Sequence, residues 1–251
     1  SGGAVGNGLE AIGSQISISG GTVGSFLTAY SGSQVNISDG TVGDDSKALG
    51  GSQINISGGA VGGNLEARDG SVVNISGGSV GESTNFFVPL VETLRAYSGS
   101  VVNISGGTVG SSFSARSGST INLLGGTVGV DFRVETGSNL NISGGEFSLN
   151  GVPLGASVVT LSGTDILSGT LADGSPFIFA NQASDRLAEV NLNTVALPEL
   201  DLTPMVIAGG DAPHGLRQGQ TLTLQPGGSL GENFAVVNAS LSVKGGSVGD
   251  G

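Results

Sequence analysis

One short phrase, GSQINISGGAVG at residues 51–62, returns along this chain with a spacing of 19 residues. Its leading glycine falls at Gly13, Gly32, Gly51 and Gly70, then at Gly99, Gly118 and Gly137. Only the unit that begins at Gly70 is longer, by ten residues. A unit this short cannot bury an apolar face alone, so its copies must stack and shield one another. The expected fold class is all-β: a single-stranded right-handed parallel β-helix, three-sided, with 19-residue coils and about twelve coils in the chain.

The reference unit GSQINISGGAVGGNLEARD (residues 51–69) explains that expectation. Alternation puts Ile54 and Ile56 on one face of a short strand and Asn55 on the other. Val61 stands between glycines in a second strand, and Leu65 and Ala67 alternate with Glu66 and Arg68 in a third. Gly-Gly, Gly and Asp-Gly separate three strands of three to five residues. The inward columns are then Ile/Val/Leu pairs, a lone Val, and Leu or Phe with Ala. The Val column reads Val5, Val23, Val42, Val61, Val80, Val109 and Val128, and Phe147 closes it.

The phase is expected to persist beyond residue 150. Ala156–Gly163 (ASVVTLSG) repeats Gly70–Gly77, Phe177 and Phe179 take inward positions, and TLTL at 221–224 lies 19 residues before SLSV at 240–243. The reading is therefore one β-solenoid domain over 1–251, with regular coils at 1–180, longer irregular coils at 181–218, and regular coils again at 219–251. At about 4.8 Å per coil the rod would be roughly 55–60 Å long. The residues at 1–8 and 244–251 match in repeat phase, so the chain is expected to be a segment of a longer repeat protein or a unit that stacks end to end.

Composition narrows the partners. Glycine makes up 48 of 251 residues, without a Gly-X-Y period and with only seven prolines, which excludes collagen. The apolar residues are patterned, which argues against disorder. A formal charge of −12 argues against nucleic acid, and no apolar run is long enough for membrane insertion by a helix. Cysteine is absent, consistent with a bacterial secreted or surface protein that needs no disulfides.

The NISGGTVG-type repeat resembles the β-solenoid portions of bacterial extracellular surface proteins: autotransporter passengers, filamentous-haemagglutinin-like adhesins and giant repeat proteins of cell-surface fibres. The resemblance covers nearly the whole chain at the level of repeat type. It implies an extracellular location at the bacterial cell surface and a structural or adhesive role.

Four surface features stand out. Asn36, Asn55, Asn74, Asn103, Asn122 and Asn141 occur once per coil and suit an amide ladder along the rod. The third strand points Thr28, Lys47, Glu66, Arg95, Ser114 and Arg133 outward in one row, and Tyr30, Leu49, Arg68, Tyr97, Arg116 and Glu135 in the next. Five of eight basic residues and both tyrosines share this face. Tyr30, Arg68, Arg95, Tyr97, Arg116 and Arg133 are thus the candidate ligand-binding residues, suited to an acidic extracellular polysaccharide. Alternatively the same charges form Arg–Glu pairs between coils on a solvated face. The ten-residue insertion enters beside this face. Phe86, Phe87, Val88 and Leu90 would either cover the solenoid flank or contact a partner. Lastly, a Thr row (Thr22, Thr41, Thr108, Thr127) is broken by Ala60 and Ser79, too irregular for an ice-binding plane.

No catalytic set emerges. Glycoside hydrolysis needs two carboxylates across a cleft, and a lyase needs a base beside a charge-neutralising group. The single His, His214, has no evident partner, and no calcium repeat or other metal signature occurs. The sequence favours a scaffold over an enzyme and calls for no cofactor or metal. The leading reading is an extracellular structural or adhesive β-solenoid that self-associates end to end into a fibre; the alternative is a glycan-binding module or polysaccharide lyase using the third face.

Overall fold

A computed structural model describes residues 2–81, 92–129, 131–181, 188–209, 212–231 and 233–249. The chain is all-β, a parallel sheet wound into a solenoid of about twelve turns with a spacing near 19 residues. Strands Gln15–Val23, Gln34–Val42, Gln53–Val61, Val72–Val80, Val101–Val109, Thr120–Val128 and Asn139–Leu149 stack in register. Gln15, Gln34, Gln53, Val72, Val101, Thr120 and Asn139 therefore form one column.

The inward columns are as the alternation requires. Ile37, Ile56, Ile75, Ile104, Leu123 and Ile142 are buried one above another, and Val23, Val42, Val61, Val80, Val109 and Val128 form the second column. Val5 belongs to that column, paired with Val23, but is 48% exposed at the outermost described winding. The third column runs Leu27, Ser46, Leu65, Leu94, Phe113 and Phe132, beside a row of small residues at Ala29, Ala48, Ala67, Ala96 and Ala115, all buried. Each large aliphatic side chain contributes about 1.5–3 kcal/mol by leaving water, so stacking supplies the stability that one coil lacks.

The turn chemistry differs from expectation in one respect. The Gly-Gly pair does not separate two strands; it bends one nine-residue strand, with a register irregularity at the bend. The second glycine is required there. Gly59 and Gly78 have φ of 75° and 73°, and a Cβ on either would meet a carbonyl oxygen of the coil below at 2.6 Å.

The serine after each leading glycine carries a role that pattern reading did not assign. Ser71 is fully buried; its Oγ donates to the Ala48 carbonyl at 2.8 Å and accepts from the Arg68 N–H at 2.9 Å. Ser52 repeats this with Ala29 and Leu49. The hydroxyl thus ties a tight corner to the coil beneath. Ser71→Ala is expected to lower stability by about 0.5–1.5 kcal/mol, the net worth of the lost hydroxyl contacts, because the Arg68 N–H and the Ala48 carbonyl still pair with each other at 2.9 Å. Urea denaturation of the variant checks this; an unchanged midpoint would contradict the clamp.

From residue 144 the chain leaves the 19-residue rhythm, contrary to the expected regular coils through 180. Val158–Leu161 does not lie parallel over Asn139–Leu149 but runs antiparallel to 188–191. Ile166–Leu171 is antiparallel both to 144–149 and to 176–180. Alternation dictates which side chains turn inward but not strand direction, so the same pattern serves either pairing. Phe147, Phe177, Phe179 and Phe132 pack in a run with centroids 4.8–6.3 Å apart and fill this junction.

The winding that covers Asn139–Leu149 is instead Ala188–Thr194, with Leu140 opposite Val190 and Ile142 opposite Leu192. It falls in the stretch expected to be irregular. Met205–Ile207, Thr221–Leu224 and Ser240–Val243 then stack in parallel, the last two 19 residues apart as the sequence indicates. Their coils enclose a smaller core of Leu216, Leu222, Leu224 and Leu230.

Candidate functional site

The third strand of each coil is short, and its backbone register sets the outward rows. Thr28, Lys47, Glu66, Arg95, Ser114 and Arg133 are successive pairing partners. The N–H groups of Leu49, Arg68, Tyr97, Arg116 and Glu135 each donate to the alanine carbonyl one coil below, which aligns the second row. The face read from the sequence therefore exists as read. Its charges, however, are joined by acids into one network.

Glu66 is the first hub. It is only 3% exposed although it sits in an outward row. Its carboxylate accepts from Arg68 Nε at 3.0 Å, from Arg95 Nη1 at 3.3 Å and from the Tyr97 hydroxyl at 3.5 Å, with Lys47 Nζ at 3.9 Å. The Arg68 guanidinium lies over the Tyr97 ring, 3.8 Å from its centroid, and this roof helps to bury Glu66. Glu66 is thus the residue that organises the row.

Glu92 is the second hub. It follows the insertion and returns the chain to the coil, its carbonyl accepting from the Asn64 N–H at 3.0 Å. Its carboxylate accepts from Arg95 Nε, from Arg116 Nη2 at 3.2 Å and from the Ser114 hydroxyl at 3.2 Å, with Arg133 Nη1 at 3.8 Å. Glu135 closes the series, accepting from Arg116 Nη1 at 2.7 Å. Five cations and three carboxylates thus alternate along the face. Tyr30 belongs to the same row but is set apart from the network by Leu49. Phe86, Phe87, Val88 and Leu90 lie outside the described residues.

Glu92 was missed because its place depends on where the insertion ends, which no repeat position encodes. The available signal was an acid three residues before Arg95, at the point where the repeat resumes. The basicity of the face is correspondingly muted. Arg95 and Arg116 each hold two carboxylates, whereas Lys47, Arg68 and Arg133 keep 38–47% of their side chains exposed.

The carboxyl of Glu92 titrates below its ordinary range. Burial alone would raise it, but hydrogen bonds from Arg95 and Ser114 and the charges of Arg116 and Arg95 outweigh burial. Arg95 and Arg116 are shifted upward by the same contacts, against their own desolvation. A depressed carboxyl adds stability above its unfolded pKa, about 4.3, and that increment disappears as pH falls through the lower folded value. The thermal midpoint of the native chain should thus drop below about pH 4.5 more steeply than that of Glu92→Gln. Parallel pH curves for the two proteins would contradict this linkage.

Outside this face, the Asn row forms the expected ladder. The side-chain amides of Asn55, Asn74, Asn103, Asn122 and Asn141 each donate to the oxygen of the preceding Asn at 2.7–2.8 Å. Asn191 extends it, donating to Asn141 at 2.9 Å across 50 residues of sequence. Its context, VNLN at 190–193, has the apolar–Asn–apolar pattern of the repeat but lacks Gly-Gly, and pattern reading passed over it.

Comparisons with protein-family profiles, with curated proteins and with solved structures returned no match. The fold and its faces are therefore the ground for any functional reading.

Proposed function

We propose that this chain is a structural β-solenoid, a stiff adhesive or spacer rod of an extracellular bacterial surface, able to stack head to tail. The observation that carries the reading is the Asn36-to-Asn191 ladder. These amides spend their hydrogen bonds on one another along the axis, so an entire outward column serves cohesion between coils. The charged face behaves similarly, each arginine being held by a carboxylate of its own coil or of one no more than two windings away.

End-to-end stacking is supported by the outermost windings. Val5 at one end and Val243 and Val248 at the other are 48–55% exposed. Their neighbours in the columns are buried, and the outer strand edges offer parallel pairing to another winding. Further coils, of this polypeptide or of a second copy, would cover them, and a heterologous contact of this kind grows without closing. Sedimentation velocity across a concentration series, with electron microscopy of the same samples, tests this. Rods lengthening in multiples of one unit are expected; a single monomeric species at every concentration would remove self-association.

An acidic polysaccharide on the third face is the second reading, favoured by the excess of five cations over three carboxylates and by the half-exposed Arg133 side chain. It predicts glycan-array binding that disappears in the Arg95→Ala, Arg116→Ala double variant. Binding unaltered by that change would eliminate it.

A further inference from the structure

We infer that a pocket around Arg217, separate from the third-face network and independent of the structural reading, binds a hydroxylated monocarboxylate of the acidic-sugar type. Five arginines lie among the described residues, and four of them pair with glutamates. Arg217 does not. It is 6% exposed, its Nη2 donates to the Pro198 carbonyl at 2.8 Å, and no carboxylate of the described residues lies within 4.0 Å of it. The guanidinium thus has one neutral protein acceptor, and its other donors face the adjoining pocket, where an anion can take them.

The space beside it is shaped for such an anion. A cavity of about 340 Å³ opens along Arg217, lined by His214 and Gln220 and walled by Pro176, Pro198 and Pro213. That volume lies at the small end of the roughly 300–1,000 Å³ range of ligand pockets. The site is held rigidly. Gln220 Oε1 accepts the Arg217 N–H at 3.0 Å while its amide donates to the Asp201 carbonyl at 3.0 Å. Gly215 is wedged where a Cβ would meet Pro176 at 2.4 Å.

The remaining polar groups select the class of anion. Asp173 lines the pocket with both oxygens engaged, accepting from the Gly126 N–H at 2.7 Å and the Ser175 N–H at 2.9 Å. Asp201 is likewise engaged by the Thr203 N–H at 2.8 Å. Glu199 stands exposed at the mouth and can accept hydrogen bonds from hydroxyl groups. One buried fork suits one carboxylate, whereas acids around the rim repel a polyanion. Proline faces suit the C–H surface of a sugar ring. A ring bearing one carboxylate and several hydroxyls satisfies all three conditions.

The test is calorimetric titration of the 251-residue chain with D-glucuronate, D-glucose and lactate as probes. Saturable glucuronate binding is expected with a Kd on the order of 1 mM, a free energy within reach of one charged fork and a few hydroxyl contacts. Glucose and lactate should bind at least about tenfold more weakly, each lacking one half of the recognition. Arg217→Lys should weaken glucuronate about tenfold by breaking the fork geometry. Because Arg217 is buried, that variant could also fail through misfolding. Glu199→Trp, which fills the mouth from an exposed position, should abolish binding with an unchanged thermal midpoint. Absence of saturable glucuronate binding, equal binding of glucose or lactate, or full binding by Glu199→Trp would overturn the proposal.

Discussion

Ile75→Asp is expected to cost more than about 4 kcal/mol and to separate the rod into two weakly coupled halves. Ile75 has no exposed surface and lies between Ile56 and Ile104 in the inward column. Truncation to alanine there should already cost about 2–5 kcal/mol through lost burial and a cavity. A carboxylate adds its desolvation, and no cation lines the aliphatic axis. In a solenoid each coil is supported only by its two neighbours, so failure at coil 72–80 also removes support from the coils on either side. Ser76→Asp, one residue on and solvent-facing, should change stability by no more than about 0.5 kcal/mol. Urea denaturation of the pair checks the contrast. Similar losses for both would mean that the alternation does not define an interior.

Glu66→Gln is expected to be the most damaging single change on the surface, at about 2–3 kcal/mol. Loss of one partner from a buried ion pair costs about 3–5 kcal/mol. The cations around Glu66 keep 25–39% of their side-chain surface exposed, so water recovers part of that cost. The neutral amide leaves Arg68, Arg95 and Lys47 facing one another beneath the Tyr97 ring, and the Arg68–Tyr97 stack should loosen. Arg68→Ala, which removes a more exposed partner, should cost no more than about 1 kcal/mol. Denaturation at low and high salt discriminates further, because a network of this kind weakens as ions screen it. An effect of Glu66→Gln no larger than that of Arg68→Ala would show that Glu66 is merely one more surface charge.

The fold was legible because stacking repeats one decision many times. Once Ile54 and Ile56 are inward, the 19-residue spacing commits Ile37 and Ile75 to the same column, with Ile104 joining them once the ten-residue insertion is allowed for, and a single misread residue cannot shift the rest. The outward rows were legible for the same reason, since Lys47, Glu66 and Arg95 follow from register alone. Legibility ended where the repeat did. ASVVTLSG at 156–163 carries the inward pattern of a coil, yet a period of two is silent about direction, and the segment pairs antiparallel. VNLN at 190–193 resumes the ladder without the glycines that announced every earlier coil.

The site was half legible. Positions on a face follow from spacing, but partners depend on how far side chains reach and where insertions return. Arg95, Arg116 and Arg133 were placed correctly, whereas the carboxylate that joins them, Glu92, belongs to no repeat position. Arg217 was hidden for a similar reason. Its place beside a pocket is a matter of three dimensions, between a proline-rich strap and a coil that sequence spacing alone did not bring together.

Pulsed electron–electron spin resonance tests the stacked architecture most directly, and a chain without cysteine makes the labelling clean. Cysteines would be placed at Gln15 with Val101, and at Gln15 with Asn139, all in one column. These pairs are four and six windings apart, so labels should report about 19 Å and about 29 Å, rising by about 4.8 Å per coil. Distances that fail to grow with the number of intervening windings would contradict the solenoid and the faces built on it.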